Sequence, residues 1–208
     1  PRPYDPDVLT TQGLGGTEAT VVRVASALSD VHEVVVVQHN RNTEWTYDSK
    51  LRFIPWMELE KVLPDADHII FVQKAQDLGR LRRLSRGRLW LWLHNYVQDE
   101  VPLYWQDHFR YRLGIICVSR AHAKHTLQYI HGQSHSWLTS AWALRGGLLY
   151  QHNPLKSGLS SNINASYDPY KLIFFSSPYK GIEQVLAHFR KIHEIEPRFR
   201  LYVADPGY

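Results

Sequence analysis

Short apolar runs separated by helical stripes constrain the fold of this chain more than any other feature. Thr17–Leu28 carries apolar side chains at the spacing of an amphipathic helix, and Ala121–Ile130 follows Ser119, a typical N-cap residue. Around these helices lie four short, mostly apolar runs, at Val34–Val37, His68–Val72, Leu89–Leu93 and Gly114–Val118. Buried strands that alternate with helices are typical of a parallel sheet covered on both faces. The sequence therefore predicts an α/β fold.

A second unit is predicted after residue 150. Residues 1–150 hold the first α/β domain, whereas 151–170 are rich in Ser, Asn, Gly and Pro, as linkers are. Residues 171–208 restart the pattern with a strand at Lys171–Phe175, an amphipathic helix and a strand at Leu201–Ala204. Because one βαβ unit is too small for a domain, we expect this segment to be the incomplete start of a second one.

The composition excludes several classes of protein. A single cysteine excludes an internal disulfide network and a four-cysteine zinc site, and it favours a reducing compartment. The apolar runs are far too short to span a bilayer. The net charge of +4 is too small to indicate nucleic acid by itself, and no nucleic-acid-binding motif is present. We therefore expect a cytoplasmic protein without a nucleic-acid partner.

One segment of the chain is much more basic than the net charge of +4 indicates. It consists of five arginines within nine residues, Arg80, Arg82, Arg83, Arg86 and Arg88. Runs of like charge are usually solvated helix faces, which is one reading of the cluster. The other is a patch that contacts phosphate or the anionic inner face of the cell membrane, with tryptophans and tyrosines as interfacial anchors. Both readings stay open from the sequence.

Two polar segments directly follow predicted strands. In open parallel sheets, ligands bind beyond the carboxyl ends of the strands. His94 and Asn95 follow one run, and Ser119 and Arg120 follow the next. There, His94 is placed to hydrogen-bond a sugar hydroxyl or a phosphate, and Arg120 to contact a phosphate. A purely structural histidine and a simple helix cap are the alternatives.

Two further segments open helices. The first is the glycine loop Gly13–Glu18, where backbone N–H groups at the positive end of a helix are open to an anion or a sugar. Glu18 replaces the third glycine of a dinucleotide fingerprint, so we expect no nicotinamide cofactor. The second places two hydroxyls and a lysine before the last helix, at Ser176, Ser177 and Lys180. That set suits a diphosphate. A tight helix start without a ligand and an ordinary loop lysine are the alternatives for the two segments.

Two apparent metal motifs are set aside. Asp65-Ala66-Asp67 precedes its strand, at the end away from ligands, and therefore reads as a turn. His122 and His125 lie about one helical turn apart without an evident third ligand. The sequence predicts no metal site.

Taken together, these segments resemble glycosyltransferase family 4. Gly15-Gly16-Thr17-Glu18 is similar to the N-terminal glycine loop of that family, and Leu93-His94-Asn95 to its strand-end His-Asp or His-Asn. Val118-Ser119 resembles its valine-serine strand end, and Ser176–Gly181 its Lys-Gly turn in the second domain. The similar motifs occur in the order of the family and span most of the chain.

The resemblance implies a GT-B architecture, in which two Rossmann-like domains bind the acceptor and the nucleotide-sugar. It implies a retaining transfer to a polysaccharide, lipopolysaccharide or lipid-linked acceptor, without a cofactor or an obligatory metal. His94 and Lys180 would act in catalysis, on the transferring sugar and the diphosphate. The donor and acceptor would be bound by the remaining residues, Gly15, Gly16, Thr17, Asn95, Ser119, Arg120, Ser176 and Ser177.

The chain departs from the family at three points. Ser176 and Ser177 stand where the family usually has an arginine, the paired glutamates of the second domain are missing, and so is the strand expected before the glycine loop. We therefore expect this stretch alone to be inactive. A sugar-nucleotide epimerase of the same architecture and a non-catalytic sugar- or partner-binding module are the alternative functions.

Overall fold

The computed structural model describes residues 2–97, 110–134, 137, 141, 145, 147–155, 167–176 and 178–204. The chain divides into two compact units. One comprises Pro1–Pro3 and Val24–Pro154, and the other comprises Tyr4–Arg23 and Leu155–Tyr208. The boundary between Arg23 and Val24 falls within a helix. The boundary between Pro154 and Leu155 falls inside the predicted linker, of which residues 156–166 lie outside the described part.

The main sheet of the first unit has four parallel strands in the order β4-β5-β6-β7. The pairing aligns His68 with Arg88, Trp90 with Gly114 and Ile115 with Leu148. The strands are β4 (His68–Val72), β5 (Arg88–Leu93), β6 (Gly114–Cys117) and β7 (Leu148–Tyr150). The predicted parallel α/β sheet is therefore confirmed.

A smaller three-stranded sheet in the same unit has the order β1-β3-β2. β1 (Val34–Gln38) runs parallel to β3 (Leu51–Pro55), and β2 (Trp45–Asp48) runs antiparallel to β3. Apolar patterning predicts β1. It does not predict β2, whose side chains are mostly exposed and carry no buried stripe.

Six α-helices accompany the strands in the part of the chain that the structure describes. α5 begins directly after Ser119, whose Oγ accepts a hydrogen bond from the His122 N–H at 3.1 Å, so the predicted N-cap is confirmed. The helices are α1 (Pro6–Thr11), α2 (Gly16–Ser29), α3 (Leu59–Val62), α4 (Leu78–Leu84), α5 (Arg120–Ser134) and α6 (Ile182–Ile195). Among the described residues, none of the helices has the length and apolar character needed to cross a membrane.

One buried apolar cluster of the first unit packs on one face of the main sheet. Leu89 and Ile115 are fully buried in adjacent strands, and Ile130 of α5 packs against them. Burying one such side chain contributes roughly 1.5–3 kcal/mol. β7 completes this sheet from the segment His131–Tyr150, which fits neither helical nor strand periodicity. Three residues paired to β6 form it, which is too short for a sequence signal.

The second unit contains a small parallel pair of strands, β8 (Lys171–Phe174) and β9 (Arg200–Val203), joined by α6. The strand–helix–strand order and the approximate bounds agree with the sequence. Among the described residues, this pair is not hydrogen-bonded to either of the other sheets. The arrangement of the whole chain is α/β with a flanked parallel sheet, which is compatible with a Rossmann-like fold.

Candidate functional site at the carboxyl edge of the main sheet

Two of the four predicted segments lie together at the carboxyl edge of the main sheet. Leu93 of β5 pairs with Cys117 of β6, so both strands end at the same level. His94 and Asn95 follow the first strand, and Ser119 follows the second after one further residue. The topology therefore brings these side chains to one edge, as the sequence predicts for adjacent parallel strands.

A glutamine that the sequence reasoning missed holds this edge in place. Gln73 follows β4 with a positive φ of 68°, and its N–H donates to the Trp92 carbonyl at 2.8 Å. Its side-chain Oε1 accepts hydrogen bonds from the backbone N–H groups of His94 at 3.1 Å and Asn95 at 3.4 Å. One amide thus fixes the turn that carries the predicted sugar-binding histidine. A polar residue directly after a predicted strand was the available signal.

His94 is half-buried against an aromatic neighbour. Its ring centroid lies 4.6 Å from that of Trp92, at an interplanar angle of 52°. Trp92 is 7% exposed and therefore provides a rigid wall. Because its backbone is held by Gln73 and its ring packs on Trp92, His94 would lose little side-chain freedom on binding a ligand.

Ser119 and Arg120 have different roles at this edge, one as a helix cap and the other as an exposed cation. The Ser119 hydroxyl caps α5, as described above, and so already has a structural partner. Arg120 is exposed and lines an open groove of about 620 Å³ with Lys124, Leu127 and Leu148. Arg120 is the first residue of α5, so it lies near the carboxyl end of β6, and it shares the groove with a second cation and apolar side chains.

His122 is the most unusual side chain at this edge. It is 2% exposed, and the Tyr96 ring packs against it with ring centroids 5.0 Å apart. Burial lowers the pKa of His122, a backbone hydrogen bond with Asn95 opposes that shift, and His125 adds to it. The histidine is therefore predominantly neutral at pH 7. The sequence pattern indicates no role for His122 beyond that of a metal ligand, and no group of three metal-binding side chains is found among the described residues.

The glycine loop lies in the second unit and begins α2. The Gly15 carbonyl accepts from the Ala19 N–H at 2.9 Å, which makes Gly15 the N-cap. A Cβ on Gly15 would collide with the Glu18 carboxylate, which folds back as an N3 glutamate of a capping box does. No described atom lies within 4 Å of a Cβ placed on Gly16. Gly16 is thus the open position of the loop, and Thr17 beside it is half-buried.

The turn after β8 holds the second predicted cation. Lys180 ends a 3-10 turn, Pro178–Lys180, and is exposed, with its ammonium 6.0 Å from the centroid of the Tyr179 ring. Gly181 then takes φ of 103°, a conformation that favours glycine, and starts α6. Ser176 is half-buried just before this turn. Ser177 lies outside the described residues.

The structure therefore groups the predicted site residues into two sets. The first unit holds His94, Asn95, Ser119 and Arg120 at one sheet edge. The second unit holds the glycine loop and the lysine turn, Gly15, Gly16, Thr17, Ser176 and Lys180. Their catalytic and binding roles stay predictions.

Most of the basic cluster has partners inside the protein. Arg82 donates to the backbone carbonyls of Gly87 at 2.8 Å and Tyr111 at 2.7 Å, so it holds loops together. Arg80 pairs with Glu60, and the guanidinium of Arg88 lies 4.3 Å from the centroid of the Trp90 ring. Arg83 and Arg86 are exposed. The cluster surrounds the amino end of β5, opposite to the candidate site, and its contact with an anionic membrane stays a prediction.

The Asp65-Ala66-Asp67 segment is a turn at the amino edge of the main sheet. The Ser85 hydroxyl donates to the Ala66 carbonyl at 3.3 Å, and the Arg88 N–H donates to the Asp67 carbonyl at 2.7 Å. A Cβ on Gly87 would collide with the same Ala66 carbonyl. The interpretation as a turn before its strand is therefore confirmed.

No family model, no curated protein and no solved structure matches this chain.

Proposed function

We propose that this chain belongs to a glycosyltransferase that moves a sugar from a nucleotide-sugar to a glycan or lipid-linked acceptor, with retention. The proposal includes the GT-B arrangement, in which the second unit would start a nucleotide-sugar-binding domain. It rests on the resemblance of the four motifs to glycosyltransferase family 4. The observation that supports it best is the convergence of His94, Asn95 and Ser119 at adjacent carboxyl strand ends.

The carboxyl edge has the chemistry to bind a sugar. Sugar hydroxyls both donate and accept hydrogen bonds, and His94 and Asn95 offer side chains of both kinds. Gln73 fixes the backbone that carries them, and Trp92 backs the imidazole. A preorganised turn loses little entropy when a ligand binds. His94 would therefore orient the transferring sugar.

Lys180 would act on the other product. As the glycosidic bond breaks, the departing nucleoside diphosphate takes up negative charge. An exposed ammonium before the N-terminus of α6 would stabilise that charge more strongly in the transition state than in the ground state. Only such a difference accelerates the chemical step.

Variants of Lys180 test this proposal in the full-length protein. Release of nucleoside diphosphate is measured over a panel of nucleotide-sugars, with polysaccharide and lipid extracts as acceptors. We expect Lys180→Ala to lower turnover by about 10²–10³ with an unchanged thermal midpoint, and Lys180→Arg to recover part of the loss. Lys171→Ala, at the opposite end of β8, is the matched control and should retain turnover within about twofold, because it lies far from the strand's carboxyl end.

Three outcomes would contradict the proposal. Wild-type turnover by Lys180→Ala would remove the lysine from the donor site. Conversion of the nucleotide-sugar without any acceptor would identify the epimerase alternative. Binding of sugars without release of nucleotide from any member of the panel would favour the non-catalytic module.

A further inference from the structure

A buried imidazole with an unused hydrogen-bonding atom lies under an exposed ring at the candidate site. His122 is 2% exposed, and its Nε2 has no hydrogen-bond partner among the described residues. Leaving a buried polar atom without a partner is costly, so such atoms are rare in native proteins. Ordinary core packing therefore does not account for this histidine.

The hydrogen bond of the other ring nitrogen determines whether Nε2 is a donor or an acceptor. The hydrogen bond between His122 and the Asn95 backbone raises the pKa of the histidine. A hydrogen bond has this effect when the ring donates it, so the Asn95 carbonyl is the acceptor. With Nε2 unpartnered, the donor is Nδ1. In a neutral imidazole whose Nδ1 carries the proton, Nε2 is an acceptor only. The site thus offers one lone pair to an incoming O–H or N–H group.

The Tyr96 ring packs against this histidine. Its ring lies between two histidines of α5, with centroids 5.0 Å from His122 and 4.8 Å from His125. Tyr96 itself is 53% exposed and follows the turn of His94 and Asn95. A half-exposed side chain that closes a buried one can move aside without opening the core.

We propose that His122 is a hydroxyl-binding residue of the sugar site and that Tyr96 is its movable cover. When Tyr96 turns away, Nε2 accepts a hydrogen bond from a hydroxyl of the sugar held by His94 and Asn95. The Asn95 carbonyl fixes the imidazole tautomer, and the Ser119 cap fixes the helix turn that carries it. The inference rests on the proposed function in naming a sugar as the ligand. Its first test is independent of turnover.

Carbethoxylation of histidines by diethyl pyrocarbonate, followed by mass spectrometry, tests the cover in the chain itself. We expect His122 to be protected in the wild type and in Tyr96→Phe, and to react at least tenfold faster in Tyr96→Ala. His125 is exposed and is the internal control, since it should react in all three proteins. Equal protection of His122 in wild type and Tyr96→Ala would overturn the assignment of Tyr96 as its cover.

Protection by ligands tests the hydroxyl in the same Tyr96→Ala variant. Methyl glycosides of common hexoses and the nucleotide-sugar panel are added, with nucleoside diphosphates alone as the control. We expect the sugars to slow modification of His122, whereas nucleoside diphosphates leave it unchanged. If no sugar protects the exposed His122, its Nε2 binds no more than water and the proposal is wrong.

Substitution of the histidine completes the test. Loss of one hydrogen bond should weaken binding of the protecting sugar about three- to tenfold in His122→Phe. His122→Gln, whose amide oxygen also accepts, should recover part of that loss. Equal binding by wild type and His122→Phe would overturn the inference. Sugar protection without transfer in the Lys180 assay would instead contradict the proposed function and leave this inference standing.

Discussion

The central strands of the main sheet, β5 and β6, and the β8-α6-β9 unit have similar sequence patterns but differ sharply in burial. Four of the six residues of β5 are buried, whereas none is buried in β8, β9 or α6. β5 and β6 each have a hydrogen-bonded neighbour on both sides, and β8 and β9 have only each other among the described strands. The difference shows that apolar runs specify strands, whereas burial depends on what surrounds them.

The exposed apolar side chains of the smaller unit make the same point. Ile173 is 57% exposed, Phe175 81% and Tyr202 45%. In the main sheet, Leu89 and Ile115 are 0% exposed. A strand pair with one helix cannot cover both faces of its sheet, since each face needs its own layer. Stability should therefore be concentrated in the main sheet.

The largest expected effect is the difference in stability cost between two isoleucine substitutions, one in each region. Ile115→Ala should lower the free energy of unfolding by about 2–5 kcal/mol, because it opens a cavity in a packed core. Ile173→Ala should change it by about 0.5 kcal/mol or less, because that side chain is already in water. All seven tryptophans lie between residues 24 and 154, so their fluorescence in urea reports the first unit. Amide exchange in β8 reports the other. Equal costs would show that the outer face of β8 is covered.

Two glycines separate a packing constraint from a backbone constraint. A Cβ on Gly114 would lie 2.5 Å from the Trp90 ring, so Gly114→Ala should cost about 1–3 kcal/mol and Trp90→Leu should relieve part of it. Gly181 has φ of 103°, so Gly181→Ala should cost about 1–2 kcal/mol. The nearest contact of a Cβ on Gly181 is the Gln184 side chain, and Gln184→Ala should not recover the stability that Gly181→Ala loses. Double-mutant cycles in urea measure both couplings. Additive behaviour at Gly114 and Trp90 would contradict the packing explanation.

The smallest effect is a contrast in pH dependence. Burial lowers the pKa of His122, so near pH 6.5 the unfolded chain binds a proton that the folded chain does not bind. The free energy of unfolding therefore falls as the pH drops below that value. Glu196 has its pKa lowered to about 2 by hydrogen bonds from Arg198, so its contribution is present above pH 4.5 and is lost toward pH 2. Both Glu196 and Arg198 are at the surface, so this effect should be smaller.

Urea titrations across pH check this contrast. His122→Gln should flatten the loss of stability just below pH 6.5 without changing the acidic range. Arg198→Gln should flatten only the range between about pH 4.5 and 2. A wild-type slope retained in His122→Gln would show that another group causes it.

Much of the candidate site was predictable because it depends on strand ends. A polar residue directly after a buried strand must lie at the carboxyl edge, so His94, Asn95 and Ser119 follow from the strands alone. Gln73 also directly follows a predicted strand, so its place at this edge was predictable, but its role depends on a positive φ and on a contact 21 residues away. The role of His122 depends on its burial beside Tyr96.

By itself the sequence determined the parallel strands β4, β5 and β6, the cap of α5 and the turn before β4, because each depends on residues close in the chain. Only the tertiary structure decided the short strands β2 and β7, the use of Arg82 as a loop clamp and the neutral, covered state of His122. These depend on neighbours far apart in sequence. Pairing, burial and desolvation are properties of the surroundings, and a local pattern does not encode them.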